Sequence, residues 1–169
     1  MLEAQINTES IKVRMTEPKD LRLNVGVELD GRIFQVDFIN TGVPHAVHFV
    51  PEIDSVNVRQ LGRVIRYHRE FAPQGTNVDF VKIIEPELVA IRTYERGVEN
   101  ETLACGTGAV AAALLSHHKF GGRLGKFCMQ VQTRGGEVLK VYFDYRGFGF
   151  KDVWLEGKAR IVYQGECYV

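Results

Sequence analysis

The stretch Cys105-Gly106-Thr107-Gly108-Ala109-Val110-Ala111-Ala112-Ala113-Leu114-Leu115 decides the fold. From Ala109 onward it is apolar on every face of a helix, and a helix without a polar stripe must be surrounded by protein. Its many small side chains let neighbouring strands come close on all sides. A buried helix from about Gly106 to Phe120 is therefore expected at the centre of the molecule.

The rest of the chain supplies what would surround it. Apolar and polar residues alternate with a period of two at Ile11, Val13 and Met15, and again where Ile33, Gln35 and Asp37 oppose Phe34, Val36 and Phe38. Two turns carry hairpin chemistry, with glycines that tolerate positive φ: Asp30-Gly31 between residues 23–29 and 32–38, and Gly135-Gly136 between 128–133 and 137–143. Further strands are expected over 45–50, 77–84, 88–94 and a long 152–164. A second helix should open at Asp54 or Ser55 and run toward Phe71, with Val58, Leu61 and Ile65 inward and Arg59, Arg63 and Arg66 outward. The expected fold class is α+β, an antiparallel or mixed sheet rolled into a barrel-like layer around the central helix, in a single domain over residues 1–169.

Composition limits the function. The 169 residues are 45% hydrophobic, enough for one sizeable core, and 21 basic residues balance 21 acidic ones. With no block of either sign, neither a nucleic acid nor an anionic membrane surface is favoured as partner, which leaves a small molecule or another protein. No apolar run approaches the roughly 18 residues of a membrane span, and residues 1–10 lack a secretory pattern. A cytoplasmic protein is expected. Cys105, Cys128 and Cys167 are an odd number without a CxxC pair, as free thiols in a reducing compartment would be.

Cys105 stands where the central helix begins. Gly106, Thr107 and Gly108 leave the first-turn amides uncovered, and those donors have no partner within the helix. With the positive end of the helix dipole they form an anion site, for a substrate carboxylate or for a thiolate on Cys105. A cysteine so placed is expected to titrate below the usual value of about 8.5. Cys105 as a mere small hydrophobe is the competing interpretation, but packing alone has no need of flanking glycines. A phosphate loop is disfavoured because the lysine and following Ser/Thr of the nucleotide-binding pattern are missing.

Glu95-Arg96-Gly97 followed by Glu101-Thr102-Leu103-Ala104-Cys105-Gly106-Thr107-Gly108 resembles the C-terminal lobe of diaminopimelate epimerase. Asn40-Thr41-Gly42-Val43-Pro44-His45, Gly75-Thr76-Asn77-Val78-Asp79-Phe80, Arg134-Gly135-Gly136 and Val153-Trp154-Leu155-Glu156-Gly157 resemble further segments of that family in the same order. Together they cover about residues 10 to 166. The resemblance implies interconversion of LL- and meso-diaminopimelate without pyridoxal phosphate, metal or any other cofactor. Cys105 would be one of two cysteines working on opposite faces of the α-carbon, since inversion through a planar carbanion requires proton transfer on both faces.

Further roles follow from the same resemblance. The amides of Gly106, Thr107 and Gly108 would bind the α-carboxylate, and Glu95 and His45 would sit near the reacting amino group and thiols. Asn77 and Arg96 would hold the distal amino-acid end, a task suited to a planar guanidinium. Taken singly, these residues have plainer readings: His45 as a satisfied half-buried histidine, Asn77 as a turn residue, Glu95 and Arg96 as a solvated pair. Cys128 and Cys167 are read as structural.

Two departures stand out. Val43 occupies a position where some family members carry asparagine, which removes a polar contact. The preceding lobe, with its Cys-Gly-Asn-Gly turn and second cysteine, has no counterpart in these residues. That lobe, covalent or separate, is thus an expected partner beside the amino-acid substrate, and surface it would cover could instead drive a homodimer. The isolated chain is expected to be inactive. The alternatives are a lobe of a related proline or hydroxyproline enzyme, and a non-catalytic binding module.

Overall fold

The computed structural model describes residues 3–29, 31–160, 162 and 164–167. In chain order the elements are β1 (Ala4–Ile6), β2 (Ser10–Arg14), β3 (Lys19–Leu29), β4 (Arg32–Asn40), β5 (Pro44–Phe49), α1 (Val58–Arg66), β6 (Asn77–Glu85), β7 (Leu88–Glu95), β8 (Asn100–Thr102), α2 (Gly106–Lys119), β9 (Gly125–Gln132), β10 (Val138–Tyr145) and β11 (Phe150–Lys158). The strands form one sheet in the order β1-β2-β11-β10-β9-β7-β6-β5-β4-β3, with β8 alongside β7. Both expected hairpins form, β3 with β4 and β9 with β10. Of the first turn, Asp30 lies outside the described residues.

The sheet is mixed, and the helices explain where. Parallel neighbours need a crossover long enough to return the chain to the same end of the sheet, usually a helix. The pairs β5–β6 and β7–β9 are parallel, and α1 and α2 lie in their respective connections. All other pairings are antiparallel.

Helix α2 is buried as its composition requires. Ala109 through Leu115 are no more than 1% exposed, and one core joins them to Ile39, Val47, Val81, Val89, Ile91, Val131, Val141 and Val153, drawn from β4 round to β11. The sheet wraps the helix but does not close. In the pairing path β1 and β3 are its two ends, so the barrel-like description is corrected to an open, curved sheet. A second core lies under α1, where Val58 and Ile65 meet Val27, Val36, Phe38, Phe80 and Tyr94.

Three boundaries differ from expectation. The first helix opens at Asn57, not Asp54 or Ser55, because the Asn57 side chain accepts from the Gln60 amide. It stops at Arg66, and a separate short 3₁₀ turn, Arg69–Phe71, carries the buried Phe71. The last strand ends at Lys158, and of the residues expected to extend it Ile161 and Tyr163 lie outside the described residues.

Candidate active site

The buried polar residues Thr41, His45, Thr76, Asn77, Asp79 and Thr93 are set among apolar strands. Burial of so many polar groups is tolerated only where they satisfy one another. His45 comes from β5, Asn77 and Asp79 from one face of β6, and Thr93 from β7, directly opposite Asp79 in the ladder. The first turn of α2 lies against them.

Asp79 is at the centre. One carboxylate oxygen is 2.7 Å from Nδ1 of His45, the other accepts from the Thr93 hydroxyl at 2.7 Å, and both members of the His45–Asp79 pair are fully buried. Nε2 of His45 is 3.0 Å from Oγ1 of Thr107, which in turn is 3.5 Å from Sγ of Cys105. Gly108 makes this approach possible. A Cβ there would lie 2.7 Å from Oδ1 of Asp79 and 3.3 Å from Sγ of Cys105.

Cys105 occupies the N-cap position of α2 with extended backbone, and its side chain makes no capping hydrogen bond. The expected lowering of its thiol pKa is reversed. Burial pushes it up to about 11, the Asp79 carboxylate adds to the rise, and Glu95 adds less, while the Thr107 hydroxyl and Gly108 amide pull only partly the other way. Desolvation of a thiolate and two nearby negative charges outweigh those two hydrogen bonds.

Asn77 and Arg96 are brought together through the backbone. Oδ1 of Asn77 accepts from the Arg96 amide at 2.8 Å, and its Nδ2 donates to the Pro44 carbonyl at 3.1 Å. The Asn77 side chain thereby ties the Pro-His segment to the turn after β7. Arg96 is half-buried as a residue, and its guanidinium donates to the Gln74 carbonyl at 3.4 Å. The approach to Cys105 is braced separately. Arg92 grips Glu101 with two bonds of 2.6 and 2.8 Å and donates to the Ile53 and Val56 carbonyls, and the Gly135 amide donates to the Leu103 carbonyl at 2.8 Å.

Cys105, His45, Thr107 and Gly108 thus converge, with Gly106 against Leu155, while Glu95 at the end of β7 is joined to them by no hydrogen bond and acts on the thiol through its charge alone. Cys128 is half-buried on β9 and Cys167 is exposed. Asp79, Thr93 and Thr41, whose hydroxyl donates to the Thr107 carbonyl at 3.0 Å, were not singled out by sequence. Asp79 did leave a signal: it is the one charged residue in the run Asn77 to Val81, all five of which are buried. Among the described residues no three His, Cys, Asp or Glu side chains gather as metal ligands would.

A sheet curved about a central helix places the chain in a class of known structures. Its fold is shared with a probable proline racemase from Agrobacterium radiobacter K84, at TM-score 0.71 and 17% identity over 95% of this chain and 56% of that one. A hydroxyproline epimerase from Agrobacterium vitis has it too, at TM-score 0.71 and 15% identity over 92% and 53% of the two chains. The class that these likenesses define is one of fold alone.

The sequence is more specific. The diaminopimelate epimerase family profile matches residues 38–145. Diaminopimelate epimerase of Aquifex aeolicus is 45% identical over 163 residues, covering 96% of this chain and 56% of that protein. The Chlorobaculum tepidum enzyme is 42% identical over 167 residues, covering 96% and 60%. The chain belongs to the diaminopimelate epimerase family, and it spans little more than half the length of these relatives. Among the described residues no helix is long and apolar enough to cross a membrane.

Proposed function

We propose that this chain is one catalytic lobe of a diaminopimelate epimerase, with Cys105 serving one face of the substrate α-carbon. The observation that carries the proposal is the thiol at the start of α2, joined through Thr107 to His45. The substrate α-carboxylate would lie on the amides of Gly106, Thr107 and Gly108, where the helix end and uncovered donors favour negative charge. Charge that develops there as the α-proton leaves is stabilised by the same donors. Arg96 would hold the distal amino-acid end, and Asn77 would act by fixing the Arg96 backbone. A second lobe would supply the opposite thiol and close the site against water.

The test is α-deuteration and inversion of diaminopimelate in heavy water, with this chain alone and with a second lobe supplied as a separate polypeptide. The expected result is no inversion alone and inversion with the second lobe, reduced by about 10²–10⁴-fold or more in Cys105→Ala. Sustained inversion by the isolated chain overturns the one-lobe proposal. Proline and hydroxyproline, tested in parallel, should be inert because they would offer Arg96 no second charged end.

A second reading is favoured by the high thiol pKa, which suits a binding module that has lost catalysis. It predicts no deuterium incorporation even with the second lobe present.

A further inference from the structure

A thiol pushed up to about 11 is almost wholly protonated at neutral pH, yet a base at carbon must give up its proton. The buried chain behind Cys105 supplies a destination for that proton. We propose that Asp79, Thr93 and Thr107 are positioning residues that make His45 the proton acceptor for Cys105, with the Thr107 hydroxyl as the link between sulfur and imidazole.

The contacts fix the direction. Thr93 donates to one oxygen of Asp79 at 2.7 Å, and the other oxygen faces Nδ1 of His45 at 2.7 Å, so the carboxylate, an acceptor only, requires the proton on Nδ1. Nε2 is then left as an acceptor 3.0 Å from the Thr107 hydroxyl. That hydroxyl donates to Nε2 and, 3.5 Å away, can accept from the Cys105 thiol. Transfer breaks the S–H bond and forms a new O–H bond at Thr107, while the original Thr107 proton moves to Nε2. Thiolate and imidazolium result, the hydroxyl is regenerated, and the total charge is unchanged. The imidazolium forms against a carboxylate already in place within a buried site, where such a pair interacts most strongly.

Asp79 from β6 and Glu95 from the end of β7 are the charged groups acting on Cys105, while β11 presents Leu155 to Gly106. Both carboxylates oppose an uncompensated thiolate, so the thiol holds its proton unless a base within reach takes it. Gly108 keeps Asp79 within reach, because any Cβ would overlap its oxygen. A carboxylate holding an imidazole whose other nitrogen faces the reactive group is a recurring way to set a histidine's tautomer.

This inference rests on Cys105 being the reactive thiol proposed above, but its test needs no turnover. Nitrogen NMR on histidine-labelled chain reports the His45 tautomer, and iodoacetamide labelling followed by peptide mass mapping reports Cys105 separately from Cys128 and Cys167. In the wild type His45 should carry its proton on Nδ1, and Cys105 should alkylate at neutral pH.

In Asp79→Asn, Thr93 still needs an acceptor, so the new amide turns its NH₂ to Nδ1 and forces the Nε2–H tautomer. Cys105 alkylation at neutral pH should then fall by about 10²-fold. Thr107→Val should give the same loss without changing the tautomer, its remaining reactivity following the thiol's own titration near 11. Thr107→Ser should restore the wild-type profile. If Asp79→Asn fails to fold, the two Thr107 variants decide. A wild-type ring without the Nδ1 proton, or Thr107→Val with wild-type alkylation, overturns the relay. The relay present without inversion in the two-lobe assay would instead overturn the proposed function.

Discussion

At Glu156 two hydroxyls converge on one carboxylate: Tyr142 donates at 2.6 Å and Ser10 at 2.8 Å. These bonds join β10, β11 and β2 on the face of the sheet away from α2. The Tyr142 hydroxyl, followed by Ser10, holds the Glu156 carboxyl below its usual range. Folding therefore favours the ionised form. The stabilisation is fully present above the unfolded carboxyl's titration, about 4.3, and is lost as pH falls through the lower folded value. Tyr142→Phe should cost about 1 kcal/mol at neutral pH, a modest figure because the site is partly open to solvent. Urea titrations of both proteins should show the difference closing in strong acid. Residue-scale chemistry of this kind was only partly legible in the sequence. Cys105 could be located from its glycines, but its titration depends on Asp79, which is 26 positions away and arrives only through the pairing of β5, β6 and β7.

The elements were more legible than their ends. Period-two alternation marked strands such as β4 and β10, which set one face on a core, and an all-apolar run marked α2, whereas the three-residue β1 and β8 were too short to show a period. Caps and stops depend on single side chains and were missed at Asn57 and Lys158. The parallel pairings left no local trace, since they follow from where the crossover helices return the chain. One close approach at this scale is testable. Gly62 on α1 lies against Tyr94 of β7, where an added Cβ would be 2.5 Å from the tyrosine Cβ, and Tyr94 is 1% exposed with no room to retreat. Gly62→Ala should lose about 1–3 kcal/mol in chemical denaturation despite its better helix propensity. Gly108→Ala should cost a similar amount by displacing Asp79, and should in addition slow Cys105 alkylation. The pair separates packing at α1 from geometry at the site.

Across the whole molecule, α2 is the element the two halves of the sheet share. The β11–β10–β9 side and the β7–β6–β5–β4 side both bury their inner faces against it, so neither has a complete core without the helix. The core under α1 is built from β3, β4, β5, β6 and β7 and meets the first through strands common to both. This interdependence supports a single domain and predicts one unfolding transition. Trp154, the lone tryptophan, reports from β11 at one side, while far-ultraviolet dichroism reports all elements. The two probes should give coincident urea curves. Leu114→Ala removes side-chain volume from the fully buried centre of α2 and should cost about 2–5 kcal/mol. It should shift both curves equally, because the cavity lies in the core that both sides require. A Trp154 transition that stays in place while the dichroism shifts would show that the β11 side folds on its own, and the single-domain assignment would fall.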